Sequence, residues 1–191
     1  MLTKKAFAQM RNDLETYDKA REQLIKDSRD VLKSSKAAIY SMHRNDAKTA
    51  EQQLKRARAT ISALHNVIAT DAHLAQVGAY IDAVEEFVEA SCYASYLKDG
   101  TLPSPEELGV HTEVYLPGLC DLMGELVRKA INSAIADDPK TALRIRDFVK
   151  DTYEELMLFD FPNSPVRRKF DSIKYGLEKL EDLALQLKLK R

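Results

Sequence analysis

Apolar side chains recur along the first part of the chain at steps of three, four or seven residues, which is the periodicity of an α-helix. This series consists of Ala6, Met10, Leu14, Tyr17, Leu24, Val31, Ala38 and Met42. The pattern predicts a first helix over about residues 3–43, longer than about 55 Å at 1.5 Å per residue. A helix of that length usually lies in a bundle or at a subunit interface.

Turn and cap residues divide the rest of the chain into further helices. Asn45-Asp46 breaks the first helix, Asp71 can cap the third, and Ser104-Pro105-Glu106-Glu107 is a capping box that predicts a short helix in a connecting loop. The other predicted helices cover about residues 47–69, 72–97, 115–136, 139–159 and 165–189. No strand pattern or interdomain linker is present. We therefore predict one all-α domain over residues 1–191, an antiparallel bundle of about six to seven helices.

Composition agrees with a helical protein and narrows its class. The 191 residues include only six Gly and six Pro, which argues against a sandwich or barrel full of turns. No run approaches 18 apolar residues, and the N-terminus lacks the apolar run of a signal peptide, so we expect a soluble, cytoplasmic protein without a membrane partner. The two cysteines, Cys92 and Cys120, make neither a disulfide framework nor a zinc site and are typical of small core residues.

Charge is balanced overall but segregated along the chain. The net charge is −1, yet residues 1–60 carry 14 Lys and Arg against 8 Asp and Glu, and residues 165–191 carry 8 against 4. Residues 71–97 hold five acidic side chains and no Lys or Arg. A solvated helix face normally mixes both signs. The acidic helix is therefore expected to find a positive partner from elsewhere.

Two carboxylate pairs are the candidates for chemistry. Glu86 and Glu89 are spaced i,i+3 on the third predicted helix, and Asp121 and Glu125 are spaced i,i+4 on the next main one. If these helices lie side by side, three or four carboxylates can surround a hard cation, and ligation by carboxylates alone suits Mg²⁺ or Mn²⁺. The alternative is that both pairs are ordinary polar faces of amphipathic helices, where such spacings are common.

Two basic segments are candidates for nucleic-acid binding. Arg167-Arg168-Lys169 lies in the first turn of the last helix, where cations oppose the helix dipole, so a use such as gripping phosphates or a subunit contact is indicated. Lys55, Arg56 and Arg58 could follow a nucleic-acid backbone. A solvated surface is the alternative for both segments.

Several motifs resemble those of the translin superfamily. The run Tyr115–Arg128 is similar to the stretch Y-L-x-G-x-x-D-L-x-G-E-x-x-R of the translin-associated factor X (TRAX) branch, and Ile131-Asn132-Ser133 continues it. Glu86–Ala90 matches that branch's E-aromatic-V-E-A, and Ser28-Arg29-Asp30 with residues 35–44 matches in order and spacing. The segment 162–175 resembles the translin branch instead. The resemblance covers nearly the whole chain.

The resemblance implies a seven-helix fold that assembles into a closed homo-oligomer, usually of eight subunits, around a cavity for single-stranded RNA or DNA. In the TRAX branch, the positions of Glu86, Glu89 and Asp121 are the catalytic residues of a Mg²⁺-dependent endoribonuclease. Glu125 also matches an acidic position and is assigned a supporting role as a metal ligand. The basic, His-containing segment by which translin holds nucleic acid matches only at His73.

We therefore predict a Mg²⁺- or Mn²⁺-dependent endoribonuclease that cuts single-stranded RNA, with single-stranded DNA as a second candidate ligand. The alternatives are a non-catalytic single-stranded nucleic-acid-binding module and a purely structural helical assembly. The residues predicted to bind nucleic acid are Lys55, Arg56, Arg58, His73, Arg128, Arg167, Arg168 and Lys169.

Overall fold

The computed structural model of the chain describes residues 2–189, and every regular element within them is a helix. The α-helices are α1 (Lys4–His43), α2 (Ala47–Ile68), α3 (Gly78–Asp99), α4 (Pro105–Leu108), α5 (Thr112–Ile135), α6 (Pro139–Leu156) and α7 (Pro165–Leu189). A 3₁₀ helix, Ala72–Gln76, lies between α2 and α3. The prediction of an all-α protein with about six to seven helices is confirmed.

The chain divides into two compact units between Phe87 and Val88, inside α3. In the N-terminal unit α1 packs on α2, and the 3₁₀ helix contacts both. The first buried residue of α1 is Leu24, so its first five turns lack a buried side chain. The core of this pair is a seam of small and branched side chains at helical spacing: Leu24, Ser28, Val31, Ser35, Ala38 and Met42 on α1, with Ala50, Ala57, Ile61 and Leu64 on α2.

In the C-terminal unit α5 packs on α6 and α7, which also pack on each other. Its core is formed by Leu122, Leu126 and Ala130 of α5, Ile145 and Val149 of α6, and Ile173, Leu180 and Ala184 of α7. Beside this core Phe170 stacks on Tyr153 at 5.3 Å between ring centroids and lies 5.2 Å from Phe161. This division into two units does not test whether residues 1–191 form one domain, so that prediction stays a prediction.

Helix starts follow the local signals of the sequence. Asp46 and Asp138 accept hydrogen bonds from the backbone N–H groups of Thr49 and Thr141 and so cap α2 and α6. The capping box of α4 is complete, because Ser104 and Glu107 each accept from the other's backbone N–H. The short helix ends at Gly109, whose φ of 70° suits glycine.

The prediction of one helix over residues 72–97 is wrong at its start. Asp71 accepts a hydrogen bond from the N–H of His73, two residues on, and this tight turn begins the 3₁₀ helix instead. Val77 is then extended, with φ −70° and ψ 118°, and α3 begins only at Gly78. The acidic side chains from Asp82 to Glu89 still fall on one uninterrupted helix.

Two other helix ends differ from expectation by three residues. α5 begins at Thr112 rather than Tyr115, because a helix tolerates Pro117 in its second turn at the loss of one backbone hydrogen bond. α6 ends at Leu156 rather than near Phe159. Among the helices within residues 2–189, none combines the length and the apolar character needed to cross a membrane.

Candidate functional site

The C-terminal unit holds Asp121 of α5 against Lys169 of α7. The lysine Nζ donates a hydrogen bond to Asp121 Oδ2 over 2.6 Å. Both side chains are partly shielded, with 36% of Asp121 and 29% of Lys169 exposed. A direct contact between an ammonium and a carboxylate at this distance is a charge-assisted hydrogen bond, which is stronger than one between neutral groups.

Close packing of α5 and α7 explains this contact between residues 48 positions apart. Phe170 and Ile173 anchor the start of α7 in the core, next to Lys169. Further along, a Cβ added at Gly176 would lie 3.0 Å from Val127 Cγ2, so the two backbones approach closely there. Because both contacts advance in the same direction along the two helices, α5 and α7 run parallel in this region.

Glu125 lies one turn after Asp121 on α5 and pairs with Arg128. The distance from Arg128 Nη1 to Glu125 Oε2 is 3.8 Å, and the glutamate side chain is 24% exposed. This spacing, i,i+3, is one that brings side chains together on a helix. Arg128 is itself 57% exposed, so its guanidinium remains partly open to solvent.

Glu89 is buried, with only 8% of its surface exposed. The alternative interpretation, an ordinary solvated helix face, therefore does not describe this residue. Tyr93, one turn further on, is fully buried as well. Burial, with a smaller contribution from the Glu125 carboxylate, raises the pKa of Tyr93 well above its ordinary value, so its hydroxyl stays protonated and can donate a hydrogen bond.

In the N-terminal unit Glu86 pairs with Lys36 of α1 at 3.8 Å. The glutamate is 19% exposed and the lysine 62% exposed. The acidic stretch thus receives a positive partner from another helix, as its lack of basic residues predicts. Because α3 continues without a break, Glu86 precedes Glu89 by one helical turn.

The four predicted metal ligands have the right chemistry for a hard cation, since all are carboxylates. Within residues 2–189, however, no group of three or more His, Cys, Asp or Glu side chains has an arrangement that could hold a metal ion. Contacts with basic side chains join Lys36 to Glu86, Lys169 to Asp121 and Arg128 to Glu125. Metal binding by Glu86, Glu89, Asp121 and Glu125 stays a prediction.

The predicted basic segment at the start of α7 divides into two kinds of residue. Lys169 turns to Asp121, whereas Arg167 and Arg168 are exposed. Arg167 donates a hydrogen bond to Asp171 over 2.9 Å and lies 5.9 Å from the ring centroid of Phe170. These contacts fix the Arg167 guanidinium close to the helix surface.

The other residues predicted to bind nucleic acid lie in the N-terminal unit. Lys55, Arg56 and Arg58 are exposed on α2, and the Arg58 guanidinium lies over the Phe87 ring at 5.5 Å. The ring of His73 is 2.9 Å from Asp71, through Nδ1, and its side chain is 88% exposed. Binding of nucleic acid by all of these residues stays a prediction.

The two cysteines belong to the core, as their residue type indicates. Both are buried free thiols. Cys92 donates a weak hydrogen bond to the Tyr115 hydroxyl, which in turn donates to the carbonyl of Pro103. Burial raises the pKa of the Cys92 thiol to about 11, which suits a structural cysteine.

Comparison with known proteins identifies the family. The profile of the translin family matches residues 19–191. The chain belongs to the translin family. An uncharacterized protein of Methanocaldococcus jannaschii is 32% identical over 192 residues, which cover 94% of this chain and 85% of that protein.

Two further relatives carry names within this family. Translin of Gallus gallus is 28% identical over 121 residues, and the match spans 56% of this chain and about half, 53%, of that translin. Translin-associated protein X of Rattus norvegicus is 24% identical over 230 residues, covering 97% of this chain and 78% of the relative.

Solved structures share the translin-family fold along nearly the whole chain. AfC3PO, in a complex with duplex RNA, superposes with a TM-score of 0.89 at 28% identity, covering 97% of this chain and 98% of that one. The apo form of NeC3PO gives a TM-score of 0.88 at 26% identity, with the same coverage. The fold is therefore that of these helical relatives.

Two residues of the site were not singled out from the sequence. Lys36 lies in a segment that resembles the family, but its pairing with Glu86 depends on how α1 approaches α3. Tyr93 stands one turn after Glu89 on the polar side of α3, which is a visible signal, but its complete burial is not. The position of Tyr93 at helical spacing from Glu86 and Glu89 is the pattern that indicates its place beside them.

Proposed function

We propose that this translin-family chain is a divalent-metal-dependent endoribonuclease, with Glu86, Glu89 and Asp121 as ligands of Mg²⁺ or Mn²⁺ and Glu125 in support. The observation that carries the proposal is the burial of Glu89, which is 8% exposed. A carboxylate with so little access to water requires positive charge or hydrogen-bond donors around it. A divalent cation that Glu89 shares with Glu86 and Asp121 would supply such positive charge.

The chain's own residues can provide an ordered setting for such a cation. Glu86 and Glu89 share one side of α3, and Asp121 and Glu125 share one side of α5. The protonated Tyr93 hydroxyl, near Glu125, is suited to orient a carboxylate without adding charge. When bound, a divalent cation would supply an activated water and stabilise the charge that gathers on the scissile phosphate.

RNA is the substrate class that the relatives support. AfC3PO is described in complex with duplex RNA, and its fold covers nearly all of this chain. We propose that single-stranded RNA is the strand that is cut, with single-stranded DNA as a second ligand. Exposed cations on α2 and at the start of α7, including Lys55, Arg56 and Arg168, supply the positive charge that attracts phosphates.

Self-association into a closed homo-oligomer is part of the same proposal. Large apolar side chains are exposed on the N-terminal half of α1, where Phe7 is 50% and Leu14 is 64% exposed. Contiguous exposed apolar surface usually marks an interaction site. Light scattering should therefore give a mass well above the 21.6 kDa of one chain. The resemblance to the translin superfamily makes eight copies the expected number.

The decisive experiment measures cleavage of labelled RNA by the purified protein. Single-stranded RNA, duplex RNA and single-stranded DNA are incubated separately with Mg²⁺, with Mn²⁺ or with EDTA. We expect internal cleavage of the single-stranded RNA with either metal and none with EDTA. The Glu89→Gln variant should lose cleavage, whereas Glu154→Gln, which changes an exposed pair on α6, should keep it.

A non-catalytic binding module is the second candidate, and two observations favour it. Lys169 contacts Asp121 directly, and within residues 2–189 no three metal-ligating side chains form a group. If the wild-type protein binds RNA but yields the same uncleaved strand with Mg²⁺, Mn²⁺ and EDTA, the binding module replaces the nuclease.

A further inference from the structure

Lys169 differs from the other basic side chains near the predicted ligands by its distance and its shielding. Its Nζ lies 2.6 Å from Asp121 Oδ2, whereas Lys36 and Arg128 lie 3.8 Å from their glutamates. Only 29% of the Lys169 side chain is exposed, against 62% of Lys36 and 57% of Arg128. Lys169 is therefore the one of these three that forms a direct hydrogen bond to a predicted ligand.

Packing holds the part of α7 that carries Lys169. Phe170, the next residue on α7, is buried, and two turns further on the close approach of Gly176 to Val127 fixes α7 against α5. The backbone that carries Lys169 is thus held by packing, and the ammonium can leave Asp121 only by a change of its own side-chain conformation.

The Lys169 ammonium and a divalent cation at Asp121 would compete for the negative charge and the acceptor positions of one carboxylate. Mg²⁺ requires its oxygen ligands at about 2.1 Å and in near-octahedral directions, so a lysine on Asp121 Oδ2 takes one of the available positions. Two cations close together also repel each other, since a unit charge and a double charge interact strongly where water is partly excluded. Binding of a metal to Asp121 therefore has to displace Lys169 or weaken its contact.

We propose that Lys169 is a built-in competitor for the divalent cation: its ammonium occupies Asp121 in the metal-free chain and is released when the metal binds. This inference rests on the proposed function, because it takes Asp121 as a metal ligand. The lysine neutralises the carboxylate without metal, and its presence lowers the affinity of the site for the cation. Removal of the positive charge should therefore tighten metal binding.

Binding of Mn²⁺, followed by the loss of its free electron paramagnetic resonance signal, tests this directly on the purified full chain without RNA. Lys169→Met should bind Mn²⁺ about three- to tenfold more tightly than the wild type, the range expected for the loss of one partly shielded ion pair. Lys169→Arg keeps the charge and should stay close to the wild type. Lys174→Met removes an exposed lysine of α7 and should change nothing.

The Asp121→Asn variant separates failure of this inference from failure of the proposed function. If Asp121→Asn binds Mn²⁺ as the wild type does, Asp121 is not a ligand and the proposed metal site fails. If Asp121→Asn loses Mn²⁺ binding but Lys169→Met binds it no more tightly than the wild type, the metal site stands and the competition is refuted. Combining both substitutions should give no gain from Lys169→Met.

A second measurement on the wild-type chain does not depend on the folding of any variant. Acetylation of lysines with an excess of an N-hydroxysuccinimide ester is followed by mass spectrometry of the peptides, with and without Mn²⁺. Release from Asp121 should make Lys169 react several-fold faster when Mn²⁺ is present, while Lys174 reacts at an unchanged rate. Equal reactivity of Lys169 in both conditions, at a Mn²⁺ concentration that saturates the protein, would refute the release.

Discussion

The two compact units hold their predicted carboxylate ligands in different ways. In the N-terminal unit Lys36 reaches Glu86 at 3.8 Å from an exposed position, whereas in the C-terminal unit Lys169 contacts Asp121 at 2.6 Å and is mostly shielded. The first pair is a loose ion pair that salt and water can screen. The second is a charge-assisted hydrogen bond supported by buried neighbours.

This difference shows that two carboxylates from similar i,i+3 and i,i+4 pairs can have different electrostatic surroundings. Lys36 loses little solvation in the pair with Glu86, because the lysine side chain remains 62% exposed. Asp121 can exchange its partner only if something replaces a short hydrogen bond. A cation that binds Asp121 would therefore meet the resistance of this hydrogen bond.

The largest expected effect is on the rate of RNA cleavage, and it should be equal for substitutions of Glu86 and Asp121. If Glu86, Glu89 and Asp121 all bind the metal, Asp121→Asn and Glu86→Gln should each lower the cleavage rate by about three orders of magnitude, since a catalytic metal contributes several kcal/mol. Binding of RNA at low salt should survive or tighten, because a negative charge near the phosphate has been removed.

Rates of single-stranded RNA cleavage under single-turnover conditions measure this effect, with Glu154→Gln as the control. A loss of activity in Asp121→Asn but not in Glu86→Gln would show that the two units contribute unequally to catalysis. Wild-type rates in both variants would show that these carboxylates form an ordinary polar surface and do not take part in catalysis.

Substitution of the two lysines should lower thermal stability by different amounts, and this effect is smaller than the effect on cleavage. Lys169→Met breaks the short contact and should lower the free energy of unfolding by about 1 kcal/mol, because a shielded charge-assisted pair is lost. Lys36→Met removes a 3.8 Å pair whose lysine is 62% exposed, and it should cost roughly a few tenths of a kcal/mol. In a chain of this length, the melting temperature should fall by about 2–4 °C in Lys169→Met. In Lys36→Met it should fall by less than about 1 °C.

Differential scanning calorimetry without added metal is the appropriate measurement. Repeating it at high salt sharpens the comparison, because the pair at the surface is screened more strongly than the shielded one. Equal losses of stability for Lys36→Met and Lys169→Met at both salt concentrations would contradict the distinction between the two pairs.

Removal of an exposed arginine should have a moderate effect on RNA affinity. Arg168 is exposed at the start of α7, beside the engaged Lys169, and if it contacts a phosphate its loss should reduce the slope of log K against log[salt] by roughly 0.7. Fluorescence anisotropy of a labelled single strand at several salt concentrations gives this slope for Arg168→Ala. Lys150→Ala, an exposed cation on α6, is the control and should keep the wild-type slope.

The helices could be predicted from the sequence because their signals are local. The period of apolar residues, the caps at Asp46 and Asp138 and the box at Ser104 all act within one turn of the residues they order. The predicted start of the third helix is wrong, although Asp71 does act as a cap. A capping residue can begin an α-helix or a 3₁₀ turn, and Asp71 accepts its hydrogen bond from the N–H group two residues on, which begins a 3₁₀ helix.

The candidate site could be predicted only in part, because its pairings are not local. Residue type and spacing made Glu86, Glu89 and Asp121 candidates. The absence of Lys and Arg from residues 71–97 predicted a positive partner from another helix for the acidic helix. The identity of that partner depends on how distant helices pack, so Lys36 and the engagement of Lys169 with Asp121 were not visible. Burial of Glu89 likewise depends on neighbours that the local pattern does not name.

The smallest expected effect concerns the packing that keeps Lys169 beside Asp121. A methyl group added at Gly124, on an exposed surface of α5, meets nothing within 4 Å, so Gly124→Ala should raise the free energy of unfolding by about 0.4–1 kcal/mol. Gly176→Ala gains the same helix propensity but brings its Cβ to 3.0 Å from Val127 Cγ2, and part or all of the gain is lost as the side chain shifts.

The two alanine variants are matched in chemistry and differ only in their surroundings, so the difference between their melting temperatures isolates the close approach of α5 and α7. We expect Gly176→Ala to melt about 1–3 °C below Gly124→Ala. If it does, combining Gly176→Ala with Lys169→Met should cost less than the sum of the two single changes, because a shifted α7 already weakens the contact with Asp121. Strict additivity would mean that the lysine holds Asp121 independently of that packing.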